Sequence, residues 1–110
     1  MLHIRFRGLP EAVVIELSRT LLHNLAKICH LDQQGSTLDW IQSTSYRDGL
    51  LDQSTIQVEV LWLPKDPETH QLVESVIREA IMIAYPKRQH LSVMFIALEP
   101  STYFRNGEHF

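Results

Sequence analysis

Residues 90–98, with the sequence HLSVMFIAL, are apolar on both faces of the strand that they predict. Successive side chains of a strand point to opposite faces of the sheet. One face therefore carries Leu91, Val93, Phe95 and Ala97, and the other carries Ser92, Met94, Ile96 and Leu98. A strand with helices on one side and water on the other alternates apolar and polar residues. This pattern predicts a sheet that is covered on both faces, and the most direct cover for the second face is another copy of the chain.

The composition is typical of a globular protein, with 110 residues of which 45% are hydrophobic and 21% are charged. We expect one domain spanning residues 1–110. The net charge of −3 argues against nucleic acid as a partner, because phosphate binding needs clustered Lys and Arg. The single cysteine, Cys29, excludes an internal disulfide and suits a reducing compartment.

The sequence also argues against a membrane partner. No apolar run reaches the roughly 18 residues of a membrane span. Arg5 and Arg7 interrupt the apolar residues at the N-terminus, which is not typical of a signal peptide. We therefore expect a cytoplasmic protein.

The rest of the chain predicts three more strands and two helices. Residues 2–7 predict a strand, with Leu2, Ile4 and Phe6 on one face and His3, Arg5 and Arg7 on the other. Apolar stripes at helical spacing predict one helix from Pro10 to about Cys29 and a second that starts at Asp66 and Pro67 and stops before Pro86. Residues 37–45 and 55–63 predict two strands, and Asp48-Gly49 predicts a turn in the connection 46–54.

This order predicts an α+β fold of β-α-β-β-α-β type, in which two strand–helix–strand units form a four-stranded mixed sheet with both helices on one face. Two architectures share the order. In a ferredoxin-like domain the second and third strands form a hairpin. In the other, the two strands of each unit pair with each other and copies of the chain join their helix-free faces. The length of the connection 46–54 and the second apolar face of residues 90–98 favour this second architecture.

Charged and apolar residues of the helix-free face are the predicted interface between copies. Opposite charges there can pair inside a shared interior. The predicted interface residues are Arg5, Arg7, Asp39, Glu59, Met94 and Ile96.

Three segments carry a family resemblance: residues 3–8 (HIRFRG), 58–62 (VEVLW) and 103–110 (YFRNGEHF). They resemble a small bacterial family of unknown function that is similar in fold to macrophage migration inhibitory factor and 4-oxalocrotonate tautomerase. The resemblance covers nearly the whole chain. It implies a homotrimer with pockets between subunits, and isomerase-like chemistry if the protein is an enzyme. We expect those pockets to bind a small carbonyl or carboxylate compound.

The resemblance breaks at the catalytic residue. Tautomerases use the secondary amine of an N-terminal proline as a base. Here Leu2 follows Met1, and an amide nitrogen at Leu2 has no useful basicity. The amine of Met1 is a candidate replacement, because α-amines have a reference pKa of about 7.7–8.0. However, it lies one residue further along the strand, roughly 3.3 Å away and on the other side of the pleat. We therefore do not expect proline-type catalysis.

Polar and aromatic residues give the remaining site candidates. Arg105 can clamp a carboxylate and His109 can act as an acid or base. The alternative for this tail is that it adds strand hydrogen bonds to a neighbouring subunit. No histidine spacing matches a metal site, so we expect no metal and no cofactor. The predicted ligand-pocket residues are Leu2, Trp40, Trp62, Tyr103, Arg105 and Asn106.

Two other functions stay open. One is a non-enzymatic oligomeric binding or assembly module, and the other is a ferredoxin-like metabolite-binding domain.

Overall fold

Two 18-residue helices and four longer strands make up most of the computed structural model, which describes residues 2–31, 35–63, 66–87 and 90–109. The helices are α1 (Glu11–Ile28) and α2 (Pro67–Ala84). The strands are β1 (Leu2–Arg7), β2 (Thr37–Ile41), β3 (Ser45–Arg47), β4 (Leu50–Asp52), β5 (Thr55–Trp62), β6 (His90–Ala97), β7 (Phe104–Arg105) and β8 (Glu108–His109).

The main sheet has the strand order β2-β1-β5-β6. The strands β1 and β2 are parallel, as are β5 and β6, whereas β1 and β5 are antiparallel. The two strands of each strand–helix–strand unit therefore pair with each other, as we predicted. The ferredoxin-like alternative is wrong, because it requires β2 and β5 to pair and β1 lies between them.

The core forms between one face of this sheet and one stripe of each helix. On β1, Leu2, Ile4 and Phe6 are fully buried, as are Ile56, Val58, Val60 and Trp62 on β5. Leu17, Leu21 and Leu25 of α1 and Val73, Ile77 and Ile81 of α2 pack against them. In the part of the chain that the structure describes, neither helix is long and apolar enough to cross a membrane.

Local chemistry sets where the elements end. The carboxylate of Asp66 caps α2 by accepting a hydrogen bond from the backbone N–H of Thr69 at 2.8 Å. Gly8 ends β1 with φ +92°, and a Cβ there would lie 2.1 Å from the carbonyl oxygen of Thr55. Only glycine fits so close to another backbone.

Two small hairpins differ from the prediction. The predicted strand 37–45 ends at Ile41. The hairpin of β3 and β4 begins at Ser45 and continues through most of the predicted connection 46–54. Its turn, Asp48-Gly49, has positive φ at both residues, which matches the twist of a two-residue hairpin. In the tail, β7 and β8 pair around Asn106-Gly107 with the same backbone signs. The tail thus makes strand hydrogen bonds within its own chain.

We predict that Ile77→Ala lowers the free energy of unfolding by about 2–5 kcal/mol, because Ile77 is fully buried and its loss leaves a cavity. Ile83 lies on the same helix and is 83% exposed, so Ile83→Ala is the matched control and should change that free energy by no more than about 0.5 kcal/mol. Chemical denaturation of the two variants measures both values. Equal losses would contradict this assignment of the core.

Candidate functional site

The sheet face opposite the helices, here called the helix-free face, carries a row of alternating charge. Arg5 of β1 pairs in register with Asp39 of β2 on one side and with Glu59 of β5 on the other. Glu59 also forms an ion pair with Arg7, and its next neighbour in the row is Met94 of β6. The register thus brings together the charged residues that the sequence assigned to an interface.

Apolar side chains lie beside this charged row. Met94 is 41% exposed and Ile96 is 38% exposed, and both alternate along β6 with inward-facing residues. A sheet face exposing methionine and isoleucine next to paired charges resembles the mixed composition of a protein interface.

The most specific polar contacts lie at the start of β1, around His3. Its Nδ1 is 2.8 Å from Oγ1 of Thr37, at the start of the neighbouring strand β2. Its Nε2 is 3.0 Å from the hydroxyl oxygen of Tyr103. A neutral imidazole has one N–H donor and one lone pair, and a hydroxyl group can complement either. Both ring nitrogens of His3 are therefore engaged by groups that can donate or accept a hydrogen bond.

The topology explains how the tail reaches this place. Because β6 runs parallel to β5 and antiparallel to β1, the last residues of β6 lie at the same end of the sheet as the first residues of β1. A 3₁₀ turn at Pro100–Thr102 then redirects the chain, and Tyr103 follows it. Further along, the guanidinium of Arg105 packs over Gly35: a methyl group at Gly35 would lie 3.0 Å from Arg105 Nη2. The absence of a side chain at Gly35 leaves room for this arginine.

Burial is the largest influence on His3 and lowers its pKa from the ordinary 6.5. The negative charge of Asp39 raises the pKa, whereas the positive charges of the N-terminal amine, Arg105 and Arg5 lower it. The net result is a lowered pKa, so His3 is neutral at pH 7. The unfolded chain binds a proton on His3 more tightly than the folded chain does. The stability that the folded protein gains from neutral His3 is therefore complete above about pH 6.5 and is lost as the pH falls through the folded-state pKa.

Two of the predicted pocket residues lie inside the core. Leu2 and Trp62 face each other across β1 and β5, and both are fully buried. The ring of Trp62 contacts those of His70 and Phe95, with centroids 4.8 and 4.9 Å away. In the single chain these side chains are packing residues of the core.

Trp40 lies at the opposite end of the sheet, where it is half-buried and donates a hydrogen bond to the carbonyl oxygen of Leu9 at 2.8 Å. It borders an open cleft of about 740 Å³. The carboxylate of Asp52 in this cleft already accepts hydrogen bonds from Ser54 and Thr55, which lower its pKa to about 2. That carboxylate is therefore poorly suited to general acid or base chemistry near neutral pH.

The terminal hairpin places the other two tail candidates on its exposed surface. Asn106 occupies the turn with φ 54°. His109 contacts Phe104 edge-to-face, with ring centroids 5.7 Å apart. Met1, the proposed amine, lies outside the described residues.

The sequence did not single out three residues of the cluster at the start of β1: His3, Thr37 and Gly35. His3 and Tyr103 are 100 positions apart, so no local spacing connects them. The available signal was the alternation of β1, which turns His3 away from the core, combined with a polar tail that follows β6.

The model of the family described as a domain of unknown function, DUF1904, matches residues 1–109. The chain belongs to this family. A DUF1904 structure from Sebaldella termitidis superposes with a TM-score of 0.93 at 25% identity and covers 100% of both chains. A protein of unknown function from Vibrio cholerae gives a TM-score of 0.87 at 29% identity over 99% of this chain and 87% of its own.

The fold extends beyond the DUF1904 family. A fused 4-OT described as an asymmetric trimer superposes with a TM-score of 0.83 at 10% identity, over 97% of this chain and 94% of its own. Homologues of macrophage migration inhibitory factor also match, with TM-scores of 0.77 to 0.79. The chain therefore has the tautomerase fold, as the resemblance implied. No curated protein sequence matches it significantly.

We predict opposite shifts of the His3 pKa in two variants. Arg105→Gln should raise it, because a nearby positive charge is removed, and Asp39→Asn should lower it, because a nearby negative charge is removed. An NMR titration of the imidazole C–H resonances measures both. Shifts in the same direction would contradict the electrostatic account of this cluster.

Proposed function

We propose that this DUF1904 protein is a homotrimer that binds a small carboxylate or carbonyl compound at the start of β1, in a pocket between subunits. The observation that carries this proposal is the polar cluster of His3, Tyr103 and Arg105 at the edge of the helix-free face. A guanidinium recognises a carboxylate through two parallel hydrogen bonds, and the two other groups are suited to a carbonyl oxygen.

The helix-free face supports the oligomer. It carries both the ion pair of Arg7 with Glu59 and the exposed side chains of Met94 and Ile96. Three copies that join these faces would bury the apolar groups and shield the charge row from water. His3 belongs to the same face, so a neighbouring subunit would lie beside the cluster and complete the pocket.

Proline-type catalysis is not part of this proposal. The fused 4-OT and this chain share a fold, but here residue 2 is a leucine whose side chain is fully buried in the core. This observation also supports the second candidate function, a non-enzymatic binding or assembly module. The two candidates differ in whether the cluster binds a ligand, which the experiments below measure.

We predict that Met94→Glu dissociates the oligomer. Met94 is in register with Glu59, so the substitution places two carboxylates side by side on the proposed interface. Sedimentation should give three times the 12.8 kDa chain mass for the natural protein and a lower mass for the variant. Met82→Glu is the control, because Met82 is 59% exposed on α2, and it should keep the trimer. A monomeric natural protein at micromolar concentration would refute the assembly.

We predict that Arg105→Met weakens binding of phenylpyruvate, a small carboxylate probe, by at least about 10-fold, because a charge-assisted hydrogen bond is lost. Calorimetric titration gives the dissociation constants. The control is Arg47→Met, since Arg47 lies on β3 and pairs with Asp52.

A second variant tests the position of the guanidinium. Gly35→Ala should also weaken binding, because its methyl group displaces the end of the Arg105 side chain. Unchanged affinity in both Arg105→Met and Gly35→Ala would show that this cluster is not the binding site.

A further inference from the structure

We propose that the open cleft beside Trp40 is a second binding site and that its ligand is a neutral saccharide. The cleft lies at the other end of the sheet from the cluster around His3, because residues 8–10, which follow β1, form part of its wall. Its volume of about 740 Å³ is within the range of small-molecule sites, about 300–1,000 Å³. The site is therefore separate from the carboxylate pocket proposed above.

Two aromatic side chains line the cleft and are held in place from behind. Trp40 and Tyr85 are both half-buried, and both pack against the hydrophobic core. The indole N–H of Trp40 donates a hydrogen bond to the carbonyl oxygen of Leu9 at 2.8 Å, which ties the ring to the turn after β1. Side chains that are already ordered lose little conformational entropy when a ligand packs on them. The cleft thus offers pre-organised aromatic walls.

The segment after β2 supplies neutral hydrogen-bonding groups to the same cleft. It carries the amide of Gln42 and the hydroxyl groups of Ser43 and Thr44, and all three residues are exposed. Amide and hydroxyl side chains can both donate and accept hydrogen bonds. A sugar hydroxyl group has the same double capacity, so this lining is complementary to a ring that carries several hydroxyl groups.

The charges around the cleft argue against an ionic ligand. Among the described residues that line it there is no Lys, Arg or His, so an anion would meet no cationic side chain. The carboxylate of Asp52 accepts hydrogen bonds from Ser54 and Thr55. It also pairs with Arg47, at 3.3 Å between Oδ2 and Nη2, and is therefore not free to bind a cation. The positive N-terminal end of α1 is offset by Glu11 in its first turn.

The combination of aromatic walls and neutral polar groups favours a saccharide over other uncharged ligands. The C–H groups on one side of a sugar ring can pack on an aromatic side chain, while its hydroxyl groups reach the polar segment. A purely apolar ligand would remove that segment from water without giving it hydrogen bonds, which costs free energy. A nucleobase is the nearest alternative, because every base can stack on an aromatic ring. Its few polar groups would leave most of the hydroxyl groups in the cleft unused.

The test follows the indole N–H resonances of the two tryptophans by NMR in the full-length protein. The probes are maltose, cellobiose, lactose and diacetylchitobiose, each titrated to millimolar concentration. At least one of them should move the Trp40 resonance saturably. The resonance of Trp62, which is fully buried, should stay in place. Trp40→Phe assigns the two signals, because it removes one of them and keeps an aromatic ring.

A double variant tests the polar wall without touching the core. Gln42→Ala combined with Thr44→Ala should raise the dissociation constant of the responding saccharide by about 10-fold, because two hydrogen-bonding side chains are lost. The matched control is Thr20→Ala combined with Gln71→Ala. Thr20 and Gln71 are exposed on α1 and α2, so this control should keep the natural dissociation constant.

Several results would overturn the proposal. One is a Trp40 resonance that none of the four disaccharides moves, and another is an unchanged dissociation constant in the variant with alanine at Gln42 and Thr44. A response to adenosine or inorganic phosphate in place of the saccharides would assign the cleft to another class of ligand. Phenylpyruvate should leave the Trp40 resonance in place, and a shift would contradict the separation of the two sites. Failure of the carboxylate pocket alone leaves this site intact.

Discussion

The alternation of side chains along β1 is the constraint on which the rest of this structure depends. β1 is central in the sheet, with β2 on one side and β5 on the other. Its even-numbered residues Leu2, Ile4 and Phe6 are fully buried in the core to which both helices also contribute. A shift of register by one residue would bring the charged residues into the core, so the pairing of this strand is strongly specified.

The same alternation decides which side chain is available at the start of β1. Since the side chain of residue 2 belongs to the core, the side chain available at the start of the strand is that of His3. The tail then returns to this edge of the sheet and brings Tyr103 and Arg105 with it. The start of β1 therefore carries polar side chains from both ends of the chain.

Most of the fold could be predicted from the sequence because its long elements bury one face each. The alternation in residues 2–7, the helical stripes and the cap of Asp66 ahead of Pro67 are local signals. The hairpin of β3 and β4 was missed, because its exposed residues, such as Tyr46 and Leu50, bury no face and produce no such pattern. The tail hairpin is shorter still.

The candidate site was only partly predictable for a different reason. Arg105 and Tyr103 were identified by residue type. His3 and Thr37 were not, because His3 lies 34 positions from Thr37 and 100 positions from Tyr103 and meets both only through the topology of the sheet. Trp62, which was assigned to a pocket on its residue type, is fully buried in the single chain and is the largest fully buried side chain of the described core.

The most direct measurement for this account is an NMR titration of the imidazole C–H resonances of all six histidines with phenylpyruvate. If the alternation of β1 places His3 in the site, its resonance should move further than the other five, and it should not move in Arg105→Met at the same ligand concentration. Saturable binding that leaves the His3 resonance in place while another histidine responds would contradict the account.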